Sequence, residues 1–202
     1  MNFEGFNKIS RLSRDCVITE KIDGTNAQIY IQPLNHRTNI VDDFKYRGWS
    51  VIKNGDFYYG VTPGSRNKWI TPKKDNFGFA QWVLENSDEL LKLGCGRHFG
   101  EWWGQGIQRR YNMDKKVLSL FNIAKWSDKE TRPECCDVVP VLYEGLFDTQ
   151  IINDTVDQLE VQGSVVSPGY MDPEGVVIFH THNSVMFKKT IKDDEKHKQE
   201  II

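Results

Sequence analysis

Cysteine is scarce and never spaced for chelation: the 202 residues hold Cys16, Cys95, Cys135 and Cys136, with no C-x-x-C pair. Adjacent cysteines such as Cys135 and Cys136 are poorly placed to share one zinc, and the five histidines show no metal-ligand spacing. The pattern favours reduced thiols over a disulfide framework. No apolar run is long enough to span a membrane, and the opening MNFEGFNKISRLSRD has no apolar stretch of signal-peptide length. A cytoplasmic chain that makes no membrane contact is expected. Net positive charge is missing as well, since 26 Lys and Arg face 28 Asp and Glu for a balance of −2. Any nucleic-acid contact must therefore come from a local basic face. Internal repeats and low-complexity segments are absent.

Aromatics are plentiful, at 12% with six Trp and eleven Phe. They supply both core and stacking material, and a domain of this length needs no staple to stay folded. Cys16 to Gln32 reads as strand, break, strand, with Glu20-Lys21-Ile22-Asp23-Gly24 at the break. A β-rich region is expected from Phe44 to Val61, with Asn54-Gly55-Asp56 as its hairpin turn. One helix is predicted from Phe77 to Leu93, stopped by Gly94, and another from Thr149 to Leu159, capped by Asp148. Further strands are predicted at His98–Trp103, Leu118–Trp126, Val138–Tyr143, Gly175–Phe179 and Val185–Thr190, the last two joined by a turn over Thr181–Ser184. Many strands with two helices indicate an α+β fold with mostly antiparallel sheets. Residues 192–202 read as a charged tail.

Chemistry concentrates in Glu20-Lys21-Ile22-Asp23-Gly24-Thr25-Asn26. A lysine is nucleophilic only as the neutral amine, a form that nearby cations and partial burial favour. A lysine at a strand end before a glycine turn is held rigidly and aimed. Taken alone the heptad is equally a surface hairpin.

The heptad resembles the first motif of the covalent nucleotidyltransferases, the superfamily of DNA ligases, RNA ligases and mRNA capping enzymes. Five more segments resemble that family in the right order: Ser65-Arg66-Asn67, Phe99-Gly100-Glu101-Trp102-Trp103-Gly104, Leu120-Phe121-Asn122-Ile123, Pro173-Glu174-Gly175-Val176-Val177-Ile178 and Met186-Phe187-Lys188-Lys189. The resemblance implies that Lys21 takes up AMP from ATP as a lysyl-AMP adduct, with Asp23 and Gly24 in the nucleotide-binding turn. It implies that Arg66 contacts the nucleotide and a substrate 5′-phosphate, Glu101 the ribose, and Phe121 the purine ring. Glu174 serves a divalent metal, Mg²⁺ or Mn²⁺, while Lys188 and Lys189 contact the α-phosphate.

Glu20 before the lysine and Thr25-Asn26 after the glycine are similar to the E-K-x-x-G-T-N of bacteriophage RNA ligases. That likeness implies adenine recognition by Glu20 and 5′-phosphate sensing by Asn26, and the upstream Lys8-Ile9 fits it too. A viral source would put the protein in the host cytoplasm.

The implied activity is ATP-dependent joining of 5′-phosphate and 3′-hydroxyl RNA ends by a domain over residues 1–191. Its implied fold is two mostly antiparallel sheets flanked by helices, with an ATP groove between them. The rivals are an ATP-dependent DNA nick ligase and a non-catalytic protein that holds nucleotide or RNA ends. Strand ends or a nicked duplex of RNA or DNA are the expected partners.

Two departures stand out. Lys188 and Lys189 are adjacent where the family has K-x-K, so alternation sends them to opposite faces of a strand. No OB-fold or other second domain is expected after Thr190, which implies either weak binding of the polynucleotide or help from a protein partner. Among other residues, Trp102 and Trp103 are expected in core or wall positions. Lys68, Lys73 and Lys74 flank Arg66, and Arg109, Arg110, Lys115 and Lys116 around Tyr111 read as a solvated loop.

Overall fold

A computed structural model describes residues 5, 9, 11–34 and 38–194. Lys8 and residues 195–202 of the expected tail lie outside the described residues. The chain forms two compact units, one from residues 1–21 and 140–202, the other from residues 22–139.

The first unit is built on a four-stranded antiparallel sheet. It contains β1 (Asp15–Lys21), β8 (Val141–Leu146), β9 (Gly175–His180) and β10 (Val185–Thr190), in the order β10-β9-β1-β8. Strand alternation sends Cys16, Ile18, Val176 and Ile178 to one face, all buried. They pack with Ile152, Val156 and Leu159 of helix α5 (Thr149–Gln162) in one apolar cluster. Positions 152, 156 and 159 recur at helical spacing, and each fully buried aliphatic side chain contributes about 1.5–3 kcal/mol. Asp148 caps the helix as expected, accepting from Gln150 N at 2.7 Å. The helix runs three residues beyond the predicted Leu159.

The second unit carries six strands: β2 (Thr25–Leu34), β3 (Ser50–Asn54), β4 (Phe57–Ser65), β5 (Gly96–Gly104), β6 (Lys116–Leu120) and β7 (Cys136–Val138). Their order is β3-β4-β2-β5-β6-β7, antiparallel except for β6 with β7. Ala27, Ile29, Ile31, Val61, Trp102 and Leu118 form the core with Phe79, Ala80 and Val83 of α2 (Phe79–Glu85).

Four sequence expectations are corrected. Phe44 lies in helix α1 (Thr38–Tyr46), so the β-rich stretch starts at Ser50. The helix expected over 77–93 is broken into α2, α3 (Ser87–Leu90) and a 3₁₀ turn, with Asn86 as the C-cap of α2. The strand expected over 118–126 ends at Leu120, and Ile123–Trp126 forms a helical turn, α4, capped by Asn122. The strand expected over 138–143 is likewise split at Val139-Pro140.

Candidate active site

Each unit brings some of the sequence-predicted residues to one face of its sheet. In the first unit, Lys21 ends β1 and pairs with Gly175, while Thr19 pairs with Val177. Across the next ladder Val177 pairs with Lys188 and Val176 with Lys189. Directly paired residues share a face, so Lys21, Thr19, Val177 and Lys188 stand on one side and Glu20, Val176 and Lys189 on the other. The β9–β10 ladder carries no register shift. Adjacency therefore splits the two lysines as alternation requires, and Lys188 is the one on the Lys21 face.

Glu174, just before β9, meets Lys21 directly. The Nζ lies 2.6 Å from Oε2, with the two side chains 23% and 10% exposed. The contact is a close ion pair, and Oε2 is buried.

Glu20 is 1% exposed, on the buried face. Its Oε1 accepts from Ser164 Oγ at 2.6 Å, and its Oε2 from Val165 N at 2.8 Å and Val166 N at 3.1 Å. Burial pushes the carboxyl above its ordinary range, and these three bonds oppose the shift without cancelling it. The carboxylate thus ties down the loop after α5. Both oxygens are thus engaged on the face opposite Lys21. Ser164 was not foreseen; nothing in its local sequence marks it.

In the second unit, Asn26 pairs with Glu101, and Glu101 with Ser119. Phe121 N donates to Phe99 O at 3.0 Å, which continues the ladder by one pair. Asn26, Glu101 and Phe121 therefore share the sheet face opposite the apolar core, and Phe121 is 40% exposed. Arg66, directly after β4, is exposed. Trp102 is core, whereas Trp103 is a buried wall residue on the Glu101 side, donating to Ser119 Oγ at 2.9 Å.

The turn after Lys21 is held tightly inside this unit. Gly24 N donates to Glu101 Oε1 at 3.2 Å. A Cβ at Gly24 would lie 2.5 Å from Trp102 O and 2.7 Å from Trp103 Cβ, so only glycine allows this approach. Asp23 N donates to Tyr111 Oη at 2.8 Å, and Asp23 Oδ2 accepts from Arg109 Nε at 3.0 Å.

Arg109 is therefore no solvated loop residue, and the earlier expectation is corrected. Tyr111 is fully buried, edge-on to Trp103 at 5.2 Å. Gln108, Arg110, Tyr111 and Asn112 all adopt positive φ, between 42° and 61°. Such a run of non-glycine residues stores strain of the kind found at functional sites. In the sequence only the unusual Arg-Arg-Tyr cluster hinted at it.

A protein-family model described as RNA ligase matches residues 14–192. The chain belongs to the RNA ligase family.

Among solved structures the chain is similar to the RNA ligase of Naegleria gruberi. A mutant of that protein with ATP and Mn is 15% identical over 89% of this chain and 50% of the other, with TM-score 0.55. A mutant with AMP and Mn gives the same identity, coverage and score. Another with ATP and Mn is 17% identical over 93% of this chain and 53% of the other, with TM-score 0.52. At such identities the likeness is one of fold, and it agrees with the α+β reading. The chain spans about half the length of these structures. No curated protein matches the sequence. No helix among the described residues is long and apolar enough to cross a membrane.

Proposed function

We propose that this member of the family is the nucleotidyltransferase part of an ATP-dependent RNA ligase. The observation that carries the reading is the face shared by Lys21 and Lys188, with Glu174 at 2.6 Å from the Lys21 amine. Lys21 Nζ attacks the α-phosphorus of ATP; a P–N bond forms, the bond to the β-phosphate oxygen breaks, and pyrophosphate leaves. The oxygen of an RNA 5′-phosphate then displaces the lysine and takes the AMP. A 3′-hydroxyl next attacks that 5′-phosphate, and AMP leaves as the strand is sealed. Lys188 neutralises phosphate charge during the first transfer, and Lys189, on the other face, does not. Positioning and charge neutralisation are what phosphoryl transfer asks of a protein.

In the second unit the roles go to Phe121 for the purine, Glu101 for the ribose, and Asn26 with Arg66 for the 5′-phosphate. Asp23 and Gly24 act as a rigid turn. Glu101 also serves that turn, its Oε1 accepting from Gly24 N.

The family implies a divalent cation, Mg²⁺ or Mn²⁺. Among the described residues no group of three or more His, Cys, Asp or Glu side chains is placed to hold a metal ion. Mg²⁺, however, commonly takes one or two carboxylates together with waters and substrate phosphates. The buried Oε2 of Glu174 fits that role. When bound, the ion neutralises phosphate charge.

Intact-mass measurement after incubation with ATP and Mg²⁺ tests the reading. The expected product is one added AMP, absent in Lys21→Ala. No adduct under any divalent metal would overturn it. A DNA nick ligase is the second reading, because the same residues would serve it. Sealing of nicks with RNA or DNA on either side separates the two.

A further inference from the structure

The face of the second unit that bears Phe121, Glu101 and Asn26 extends further. One cross-strand row runs from Phe121 to Phe99 on β5, Gln28 on β2 and Gly64 on β4. Gly64 has no side chain, and the ring of Trp69 occupies that room: a Cβ at Gly64 would lie 2.9 Å from Trp69 Cε3 and 2.7 Å from Gln28 Cγ. The row therefore reads Phe121, Phe99, Gln28, Trp69, spaced about 4.8 Å per strand. Its three aromatic members are 40%, 46% and 38% exposed, an unusual cost for large apolar rings on one sheet face.

The next row reinforces the Trp69 end. Tyr30 pairs with Arg97, and the Arg97 guanidinium carbon lies 5.2 Å from the centroids of both the Tyr30 and Trp69 rings. The two rings are 6.0 Å apart and 27° from parallel. Three planar groups are thus gathered on the sheet, with cationic charge among them. The segment around Trp69, Ser65-Arg66-Asn67-Lys68-Trp69-Ile70-Thr71-Pro72-Lys73-Lys74, has four cations and no anion. An apolar protein partner would not call for that charge, and a duplex would keep its bases stacked away from the rings. Exposed rings interleaved with cations suit unstacked bases joined by phosphates.

We infer that Phe99, Trp69 and Arg97 form a stacking platform for single-stranded nucleotides of the RNA substrate, continuing the row that starts at Phe121. The inference rests on the ligase reading for its substrate, but its test does not require ATP. Bases lie on Phe99 and Trp69, Arg97 and Tyr30 hold the Trp69 ring in place, and Lys68 and Lys73 meet the phosphates between them.

The test is fluorescence anisotropy with a 5′-phosphorylated single-stranded oligoribonucleotide of about ten nucleotides, alongside a blunt RNA duplex of the same sequence. Trp69→Ala, Phe99→Ala and Arg97→Ala should each weaken binding to the single strand about tenfold, the loss expected when one stacked base is forfeited. Trp69→Phe should retain most of the affinity, and duplex binding should change less than about twofold in every variant. AMP uptake by Trp69→Ala, measured by intact mass, should match the unsubstituted protein and so certify its fold. Single-strand affinity unchanged in all three alanine variants, or an equal loss on the duplex, would overturn the platform. Failure of the unsubstituted protein to take up AMP would overturn the ligase reading alone, because the binding comparison stands without it.

Discussion

Lys21 and Glu174 are 153 positions apart in sequence and 2.6 Å apart at Nζ and Oε2. The carboxylate is the nearest charge to the proposed nucleophile and the proposed ligand of the cation. Glu174→Gln keeps its shape and removes its charge. AMP-adduct formation should slow about a hundredfold, as when one electrostatic group is deleted from a phosphoryl-transfer site. Quenched time courses with labelled ATP measure this, and wild-type rates in the variant would remove Glu174 from the mechanism.

Lys188 and Lys189 should separate cleanly under the same assay. Lys188→Ala, on the Lys21 face, is expected to lower the adduct rate about a hundredfold at saturating ATP. Lys189→Ala, on the Glu20 face, should lower it less than about threefold. The reverse ranking would mean that β10 pairs in a different register.

Glu20 predicts a pH dependence of stability. Its folded carboxyl is shifted up by burial, whereas the unfolded group titrates near its ordinary value of about 4.3. The native state therefore holds its proton more tightly. The resulting stabilisation is full below the unfolded value and is lost as pH rises through the raised folded value. Glu20→Gln has no proton to lose, so the variant's Tm minus the wild-type Tm should grow with pH across that window. A difference that stays constant with pH would refute the shift. Glu20→Ala leaves Ser164, Val165 N and Val166 N without their acceptor and should cost about 2 kcal/mol in urea unfolding.

The clamp on Asp23 should be felt in both folding and chemistry. Tyr111→Phe deprives Asp23 N of its acceptor and should cost about 1 kcal/mol of stability. Arg109→Ala releases Asp23 Oδ2, and AMP uptake should slow about tenfold as the turn beside Lys21 loses its fixed geometry. Adduct kinetics paired with thermal melts distinguish this from plain destabilisation: a kinetic loss with wild-type Tm supports positioning.

Where local pattern decides structure, the sequence was readable. The run from β1 through the glycine turn to β2, the Asp148 cap and the β9–β10 hairpin all follow from alternation, capping and turn chemistry. Phe44 and the segment from Phe121 to Trp126 were misread because short apolar runs suit a helix and a strand equally. Asn122 was the overlooked start signal. Glu20 is a different case: alternation puts it on the face opposite Lys21, but the loop its carboxylate holds lies far along the chain. Arg109, Tyr111 and Ser164 were beyond local reading, since each acts on a residue 86 to 144 positions away.

The adjacent lysines of β10 carry a consequence for mutational robustness. Their pairing is set by the four-residue connection Thr181–Ser184, in which Ser184 adopts φ 52°. A change in that connection that slipped β10 by one residue would turn every side chain to the other face. Phe187 would leave its ring contact with Phe147. Lys189 would take the place of Lys188, so a cation would still face Lys21. A K-x-K strand has no such redundancy: after the same slip it would present its middle residue. The doublet lets this hairpin vary in length with less risk to the chemistry it supports.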